Sequence, residues 1–287
     1  MLKLKPYLSQ KIWGGDNLSA IYDSDLKNIG EALIVSGLEG MSSTVIDSTG
    51  KEYNLRDYYQ DNKSEFGVDS DEFPILVKII DAQEDLSIQV HPSDKIAKKL
   101  GSEYRGKQEC WFILETKNKS IIAGTNSTSK KRMRALIATG DWNIIARETD
   151  IQKNDFISIE PGVIHAIKSG TMLFELQQPS DTTFRLYDYD RLEDGKPREL
   201  HIENSLESVV FKNPVIKNVT SSSELISNTY FTLNYFEDND AKIRRNNFFT
   251  ITNIDTNPAY INGARLEQYQ TFKITKEDNY FASITNS

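Results

Sequence analysis

The chain of 287 residues has only three histidines, His91, His165 and His201, and a single cysteine, Cys110. One thiol excludes an internal disulfide framework and any cysteine-rich zinc module, and it fits a reducing, intracellular setting. Three imidazoles mean that a transition metal held through histidine has nearly all its candidate nitrogen ligands already named. No apolar run approaches the roughly 18 residues of a membrane helix, and the opening MLKLKPYLSQKIWGG has no stretch apolar enough for a signal peptide. A cytoplasmic protein without a membrane partner is expected. Positive charge is also scarce: 34 Lys and Arg against 42 Asp and Glu give a formal net charge of -8. That balance excludes a general nucleic-acid or anionic-membrane surface and leaves room for an anionic small substrate only where local cations receive it.

What is present is the composition of an ordinary globular protein. Apolar residues make up 38% and charged residues 26% of the chain, with 13 Tyr and 13 Phe, which rules out collagen, coiled coil and wholesale disorder. The length is enough for about two domains. Most of the patterning is β. Phe73 to Ile80 is a short apolar run bounded by polar turns, Leu86 to His91 alternates and stops at Pro92, and Glu109–Glu115, Ser120–Ala123, Asp155–Ile159, Thr171–Gln178 and Thr182–Tyr187 are rich in Ile, Phe, Trp, Thr and Tyr. Short strands divided by Gly, Pro and Asn-Asp turns predict an antiparallel sandwich or barrel. Helices are expected at Ser129–Ala138, ended by Gly140, and at 141–146 with Asp141 as its cap, together a helical insertion at about 128–148; Pro92–Leu100 and Leu55–Ser64 are further candidates. From about Leu206 alternating segments return at Tyr230–Phe236, Phe248–Ile254 and Gln270–Lys276. They predict a smaller β domain over 206–287 behind a larger one over 1–205.

Gly101-Ser-Glu-Tyr-Arg-Gly106-Lys107-Gln108 comes close to the phosphate-loop pattern GxxxxGK[ST]. It fails where the chemistry needs a hydroxyl for magnesium, and it enters the strand-like ECWFIL instead of a helix whose N-terminus would cradle phosphate. The segment LSIQVHP is more informative. Alternation puts Leu86, Ile88 and Val90 on one face and Ser87, Gln89 and His91 on the other. Alternation alone leaves open whether that second face is solvated or lines a site. Glu109 at a strand entrance and His165 after the Pro161-Gly162 turn weigh for a site: two imidazoles, a carboxylate and the Gln89 amide oxygen form an N/O set suited to Zn²⁺ or another borderline metal. His201 lies outside any such segment and is expected to be a surface or packing residue. Glu175 lies ten residues after His165, across the turn Lys168-Ser-Gly170, and Arg185 follows on the next strand, where a guanidinium needs an anionic partner such as phosphate.

The strings LSIQVHP, Lys107-Gln-Glu109-Cys-Trp111, PGVIHAI, Glu175 and SDTTFRLYDYDR, with KPYLSQKIWGG and Ile29-Gly-Glu31 near the start, resemble the type I mannose-6-phosphate isomerases in their shorter bacterial form. The resemblance runs from Leu4 to about Asn204. It implies a mainly β, cupin-type jelly-roll enzyme that interconverts mannose 6-phosphate and fructose 6-phosphate through a cis-enediolate, with one zinc ion per chain. Matched position by position, it implies Gln89, His91, Glu109 and His165 as metal ligands, Lys107, Glu175 and Arg185 as active-site residues, and Ser87, Arg185 and Arg191 near the substrate phosphate. The chain departs from that pattern in several places: the Pro of the usual Pro-x-Gly before the histidine has moved to Pro161, the C-terminal segment is somewhat short, and three further positions differ. Glu31-Ala-Leu-Ile-Val-Ser36 lacks a Trp, Lys153-Asn-Asp replaces Lys-Gly-Asp, and Cys110 stands for a more usual Met.

Two other readings share the ligand set. Two histidines and a carboxylate also form the facial triad of a cupin Fe(II) oxygenase, and a sugar-phosphate-binding cupin without turnover would keep the same residues. Monomer and homodimer both remain open.

Overall fold

Two β-rich units emerge from the contacts of a computed structural model, which describes residues 1–237, 240–279 and 281–286. One unit comprises Gln10–Glu31 and Ile80–Val219; the other is assembled from Met1–Ser9, Ala32–Ile79 and Thr220–Ser287. This differs from the expected division into 1–205 and 206–287. The cause is strand pairing: Leu2–Lys5 is hydrogen-bonded to Thr271–Ile274, with Leu2 opposite Lys273, and to Thr44–Ile46 on its other side. An N-terminal strand paired in that way belongs with the C-terminal segment.

The unit containing the candidate residues is a sandwich. The elements that build the site and its cover, in chain order, are β1 (Ile88–Val90), α1 (Asp94–Leu100), β2 (Glu109–Thr116), β3 (Ser120–Thr125), α2 (Lys130–Thr139), α3 (Trp142–Ile145), β4 (Ala146–Asp150), β5 (Asp155–Ile159), β6 (His165–Ala166), β7 (Thr171–Gln177), β8 (Phe184–Tyr187), α4 (Ile202–Ser208) and β9 (Ile216–Asn218). One sheet runs β4-β3-β6-β1-β8; in the other, β9, β5, β2 and β7 are neighbours in that order. Trp111, Ile113, Ile157, Ile159 and Leu173 from one sheet meet Ile121 and Ala123 from the other in a buried cluster that fills the space between them. Ile recurs in these strands because a branched side chain fits a pleated, buried face.

A second cluster covers the outer face of the five-stranded sheet. Ile88, Val90, Ile122, Ala166, Phe184 and Leu186 pack there under Met133 of α2, Ile145 of α3, and Leu206 and Val209 at and beyond the end of α4. The helical insertion is therefore the cover of one sheet. Its first helix is capped at Ser129, whose hydroxyl accepts from the Arg132 amide, and it ends at Gly140 in the left-handed region. Asp141 precedes α3 but its side chain makes no capping bond; its carboxylate accepts from the Thr139 hydroxyl instead. Asn154 takes φ +68, the left-handed turn that the Lys153-Asn-Asp sequence allows.

One expectation about faces needs correction. Ile88 and Val90 do point to the outer, helix-covered cluster, but Leu86 packs with the inner one. The strand begins only at Ile88, so the alternation does not extend back to Leu86.

In the other unit, Lys273 on the strand Thr271–Ile274 is fully buried. Its Nζ sits 3.2 Å from the centroid of Phe66 and 4.9 Å from that of Tyr58, and among the described residues it has no hydrogen-bond acceptor. Burial lowers the amine to about 7, against the opposing pull of Glu65, Asp278 and Glu277. An unfolded lysine titrates near 10.4. Between about pH 7 and pH 10 the unfolded chain therefore holds a proton that the folded one lacks, and stability rises with pH across that window. Lys273→Met is expected to raise Tm by about 3–6 °C at pH 7, with the gain shrinking toward pH 10; thermal unfolding of both proteins across that range checks it.

Candidate metal centre and active site

Antiparallel pairing sets the candidate residues in a row. Gln89 on β1 lies opposite His165 on β6 and, on its other side, opposite Arg185 on β8. Cross-strand partners share a face, and Ile88 and Val90 take the outer one, so Gln89, His165 and Arg185 face the interior of the sandwich. The facing sheet contributes Glu109 and Trp111 of β2 and, in register with them, Gln177 and Glu175 of β7. His91 follows β1 directly. Its carbonyl accepts from the Gly162 amide at 2.7 Å, which ties the two histidine-bearing segments together. Gly162 has φ +88, and a Cβ there would lie 2.6 Å from the Ser208 carbonyl oxygen, so the turn before His165 requires glycine.

Both imidazoles are oriented by the backbone. His91 Nδ1 is 2.9 Å from the Thr182 carbonyl and His165 Nδ1 is 2.9 Å from the Val163 carbonyl. A carbonyl can only accept, so each Nδ1 carries the proton and each Nε2 presents a lone pair. Burial pushes both rings below the ordinary histidine range, His91 to about 3 with Lys107 adding to the effect, which keeps them neutral as ligands must be. Glu109 is also buried, and burial alone would raise its carboxyl. The Lys107 ammonium beside it outweighs that and holds it well below the usual range as a carboxylate.

The donor atoms converge. His91 Nε2 lies 3.1 Å from His165 Nε2, and Glu109 places Oε2 3.4 Å from the first and Oε1 3.4 Å from the second. A tetrahedral zinc site with metal–nitrogen bonds of 2.0–2.1 Å has ligand–ligand edges of about 3.3–3.4 Å. These three residues fit that set; all are buried and form a group able to hold a metal ion. Gln89 adjoins it, with Nε2 3.4 Å from His165 Nε2 and Oε1 accepting from the Ser87 hydroxyl at 3.2 Å. Turning the amide by 180° brings its oxygen to the donor group while Ser87 stays in hydrogen-bonding range.

Lys107 is buried at the same centre, 2.8 Å from Glu109 Oε2 and 3.2 Å from His91 Nε2. Glu175 receives the indole N–H of Trp111 at 2.9 Å. The Arg185 guanidinium is half-buried, and among the described residues no side chain or carbonyl is hydrogen-bonded to it. Burial, with the nearby Arg198, lowers its proton affinity. Arg191 stands differently: it is bound to Asp188 at 2.6 Å and to the Asp85 carbonyl at 2.6 Å, and Arg198 grips the same Asp188 through two bonds of 2.6 and 2.7 Å. His201 is outside the donor group. Its Nδ1 accepts from the Arg185 amide and its own amide donates to the Arg185 carbonyl, which clamps β8. The near phosphate loop runs from the end of α1 into β2 with no helix after it, as its sequence context requires.

Sequence reasoning missed Trp111 as a site residue, although its position two after Glu109 on a strand put it on the same face. Asp188 and Arg198 carried no local signal, because their pairing is a tertiary contact across ten residues.

A sequence profile of the phosphomannose isomerase type I catalytic domain matches residues 1–108. The chain is 38% identical over 212 residues to mannose-6-phosphate isomerase ManA of Bacillus subtilis strain 168, covering 72% of this chain and 67% of that protein. It belongs to the type I mannose-6-phosphate isomerase family. The crystal structure of the mannose 6-phosphate isomerase from Bacillus subtilis superposes with a TM-score of 0.90 at 30% identity, over 100% of this chain and 96% of that one. A mannose 6-phosphate isomerase crystallised with zinc and yttrium shares the fold at a TM-score of 0.79 and 15% identity, over 100% of this chain and 97% of its own. The fold is thus the cupin-type jelly roll of these isomerases, and the chain is an enzyme of that family.

Asp188 provides a stability test of the scaffold around Arg185. Burial pushes its carboxyl up, but Arg198 and Arg191 hold it below the ordinary range overall. Its contribution is therefore present above the unfolded value near 3.9 and is lost as pH falls through the lower folded value. Asp188→Ala removes the carboxylate shared by two part-buried guanidinium groups, with Arg191 keeping the Asp85 carbonyl, and is expected to cost about 1–3 kcal/mol at pH 7. In denaturant unfolding the difference from the parent should narrow below about pH 4.

Proposed function

We propose that the chain interconverts mannose 6-phosphate and fructose 6-phosphate with a zinc ion held by His91, Glu109, His165 and Gln89. The observation that carries this reading is the buried His91–Glu109–His165 donor group, whose His165 shares a face with Gln89 and Arg185, the last a half-buried cation without a hydrogen-bonded partner among the described residues. A planar guanidinium recognises a phosphate in a bidentate manner, and the opposing register places it about 5 Å from Gln89 at the Cβ atoms. Family membership and the zinc in a relative of the same fold support the assignment.

Aldose–ketose isomerisation moves a proton from C2 to C1 and a second from O2 to O1, passing through a cis-enediolate. When bound, zinc supplies Lewis-acid polarisation of the substrate oxygens, worth several kcal/mol in such sites. Glu175 takes the proton from C2 and returns it to C1, a role suited to a buried carboxylate held in one orientation. Lys107 places a positive charge beside the donor group, where oxyanion charge develops. Arg185 binds the phosphate and so fixes which carbon faces Glu175. Ser87 holds the Gln89 amide, and Arg191, committed to Asp188, supports the strand end near Arg185. A phosphate-binding cation and a lysine inside the donor group serve a sugar phosphate better than they serve oxygen activation at iron.

Chelation should abolish conversion of mannose 6-phosphate to fructose 6-phosphate, and zinc at one equivalent per chain should restore it. Absence of turnover in the zinc-loaded protein would contradict the reading. Arg185→Ala should raise KM for the sugar phosphate by about tenfold to a hundredfold, the loss of a charge-assisted pair, while zinc content stays at one per chain; an equal loss of zinc would contradict the role given to Arg185.

A further inference from the structure

We infer that Trp111 is a positioning residue, holding the Glu175 carboxylate in register with the metal-binding imidazole. The inference rests on the function proposed above, in which Glu175 carries the proton. Trp111 and Glu175 are directly opposed in the β2–β7 pair, so both side chains rise from the same face at adjacent points. The indole N–H donates to Glu175 Oε1 at 2.9 Å with both residues buried, at 1% and 3% exposure. The same indole meets the His165 ring in an edge-on contact, centroids 5.5 Å apart and planes at 78°.

A buried indole N–H needs an acceptor, and a backbone carbonyl is the inexpensive one. Here the acceptor is an ionisable side chain inside the sandwich, on the face that carries Glu109. A hydrogen bond to a carboxylate is shorter and stronger than one to a neutral oxygen and fixes the carboxylate plane as well as its position. Because the indole is wedged against His165, which is itself held by the Val163 carbonyl, the carboxylate inherits the orientation of the donor group. Misplacement of a reacting group by about 1 Å can lower turnover a hundredfold with binding intact. Trp111 therefore acts on kcat through Glu175, touching neither substrate nor metal.

The test uses the zinc-loaded full chain. Trp111→Phe should lower kcat about tenfold to a hundredfold, with KM and bound zinc unchanged, and should add no further loss when combined with Glu175→Gln, since the two residues act as one unit. An independent readout is the indole N–H signal in ¹⁵N spectra. The chain has three tryptophans, the signal absent from Trp111→Phe identifies the Trp111 proton, and Glu175→Gln should shift that signal upfield while the other two stay. If Trp111→Phe does not fold, 3-benzothienylalanine at position 111 keeps the shape without the N–H and should show the same kinetic pattern. A fall in bound zinc or a rise in KM with kcat intact overturns the inference, as does a full multiplicative loss in the double variant or an unmoved indole signal. If the parent chain itself does not isomerise the sugar phosphate, the proposed function fails, and the indole signal still decides whether Trp111 holds Glu175.

Discussion

Two hydrogen bonds from imidazole to backbone organise the site. Because His91 gives its Nδ1 proton to Thr182 and His165 gives its own to Val163, both rings turn their Nε2 lone pairs toward one point, where Glu109 arrives from the opposite sheet. Metal-binding histidines are commonly fixed in this way by a partner on the other nitrogen. The carbonyls themselves are held. The Thr182 hydroxyl accepts from the Arg105 amide, its own amide donates to the Ser180 hydroxyl, and Gln177 donates to the carbonyls of Gln178 and Ser180. The orientation of one ring is thus distributed over a loop, the entrance to β2 and the end of β7.

The sandwich makes this affordable by sorting polar from apolar across a single sheet. Outward-facing Ile88, Val90, Phe184 and Leu186 are sealed by the insertion helices and α4, while inward-facing Gln89, His165 and Arg185 share one row. Burying Lys107, Glu109 and two imidazoles together works against stability, since each loses water. Lys107, at 2.8 Å from Glu109 and 3.2 Å from His91, recovers part of that cost and leaves a preorganised donor group. Lys273 in the other unit is a contrasting case: a buried amine among aromatic rings with no paired anion among the described residues, whose burial surfaces as a lowered proton affinity.

Much of this was legible in the sequence because the candidate ligands sit on or directly beside strands with sharp periodicity. Asp155–Ile159 has the expected bounds, and β1, β2 and β7 lie within a few residues of theirs. The Pro161-Gly162 turn and the Lys107-to-Glu109 spacing mark residues that the fold does bring together. What was not legible depends on tertiary partners. Leu86 reads as part of an alternating strand but precedes it; Asp141 reads as a cap but is claimed by Thr139. A boundary near 205 looks natural along the chain, yet pairing of Leu2–Lys5 with Thr271–Ile274 is a contact across the full length that no local pattern encodes. Arg191 has the composition of a phosphate ligand, and only the contact with Asp188 reveals its commitment.

The central claim is that a metal ion is held by two imidazoles and oxygen donors, with the sole thiol excluded. Cys110 is buried next to Glu109 in sequence but on the opposite face of β2, and burial raises its thiol above the ordinary range. Zinc-edge X-ray absorption of the protein loaded with one equivalent of zinc tests this directly. The account predicts a first shell of nitrogen and oxygen at about 2.0–2.2 Å with the outer scattering of two imidazoles. A sulfur scatterer at about 2.3 Å, or a shell without imidazole, would contradict it.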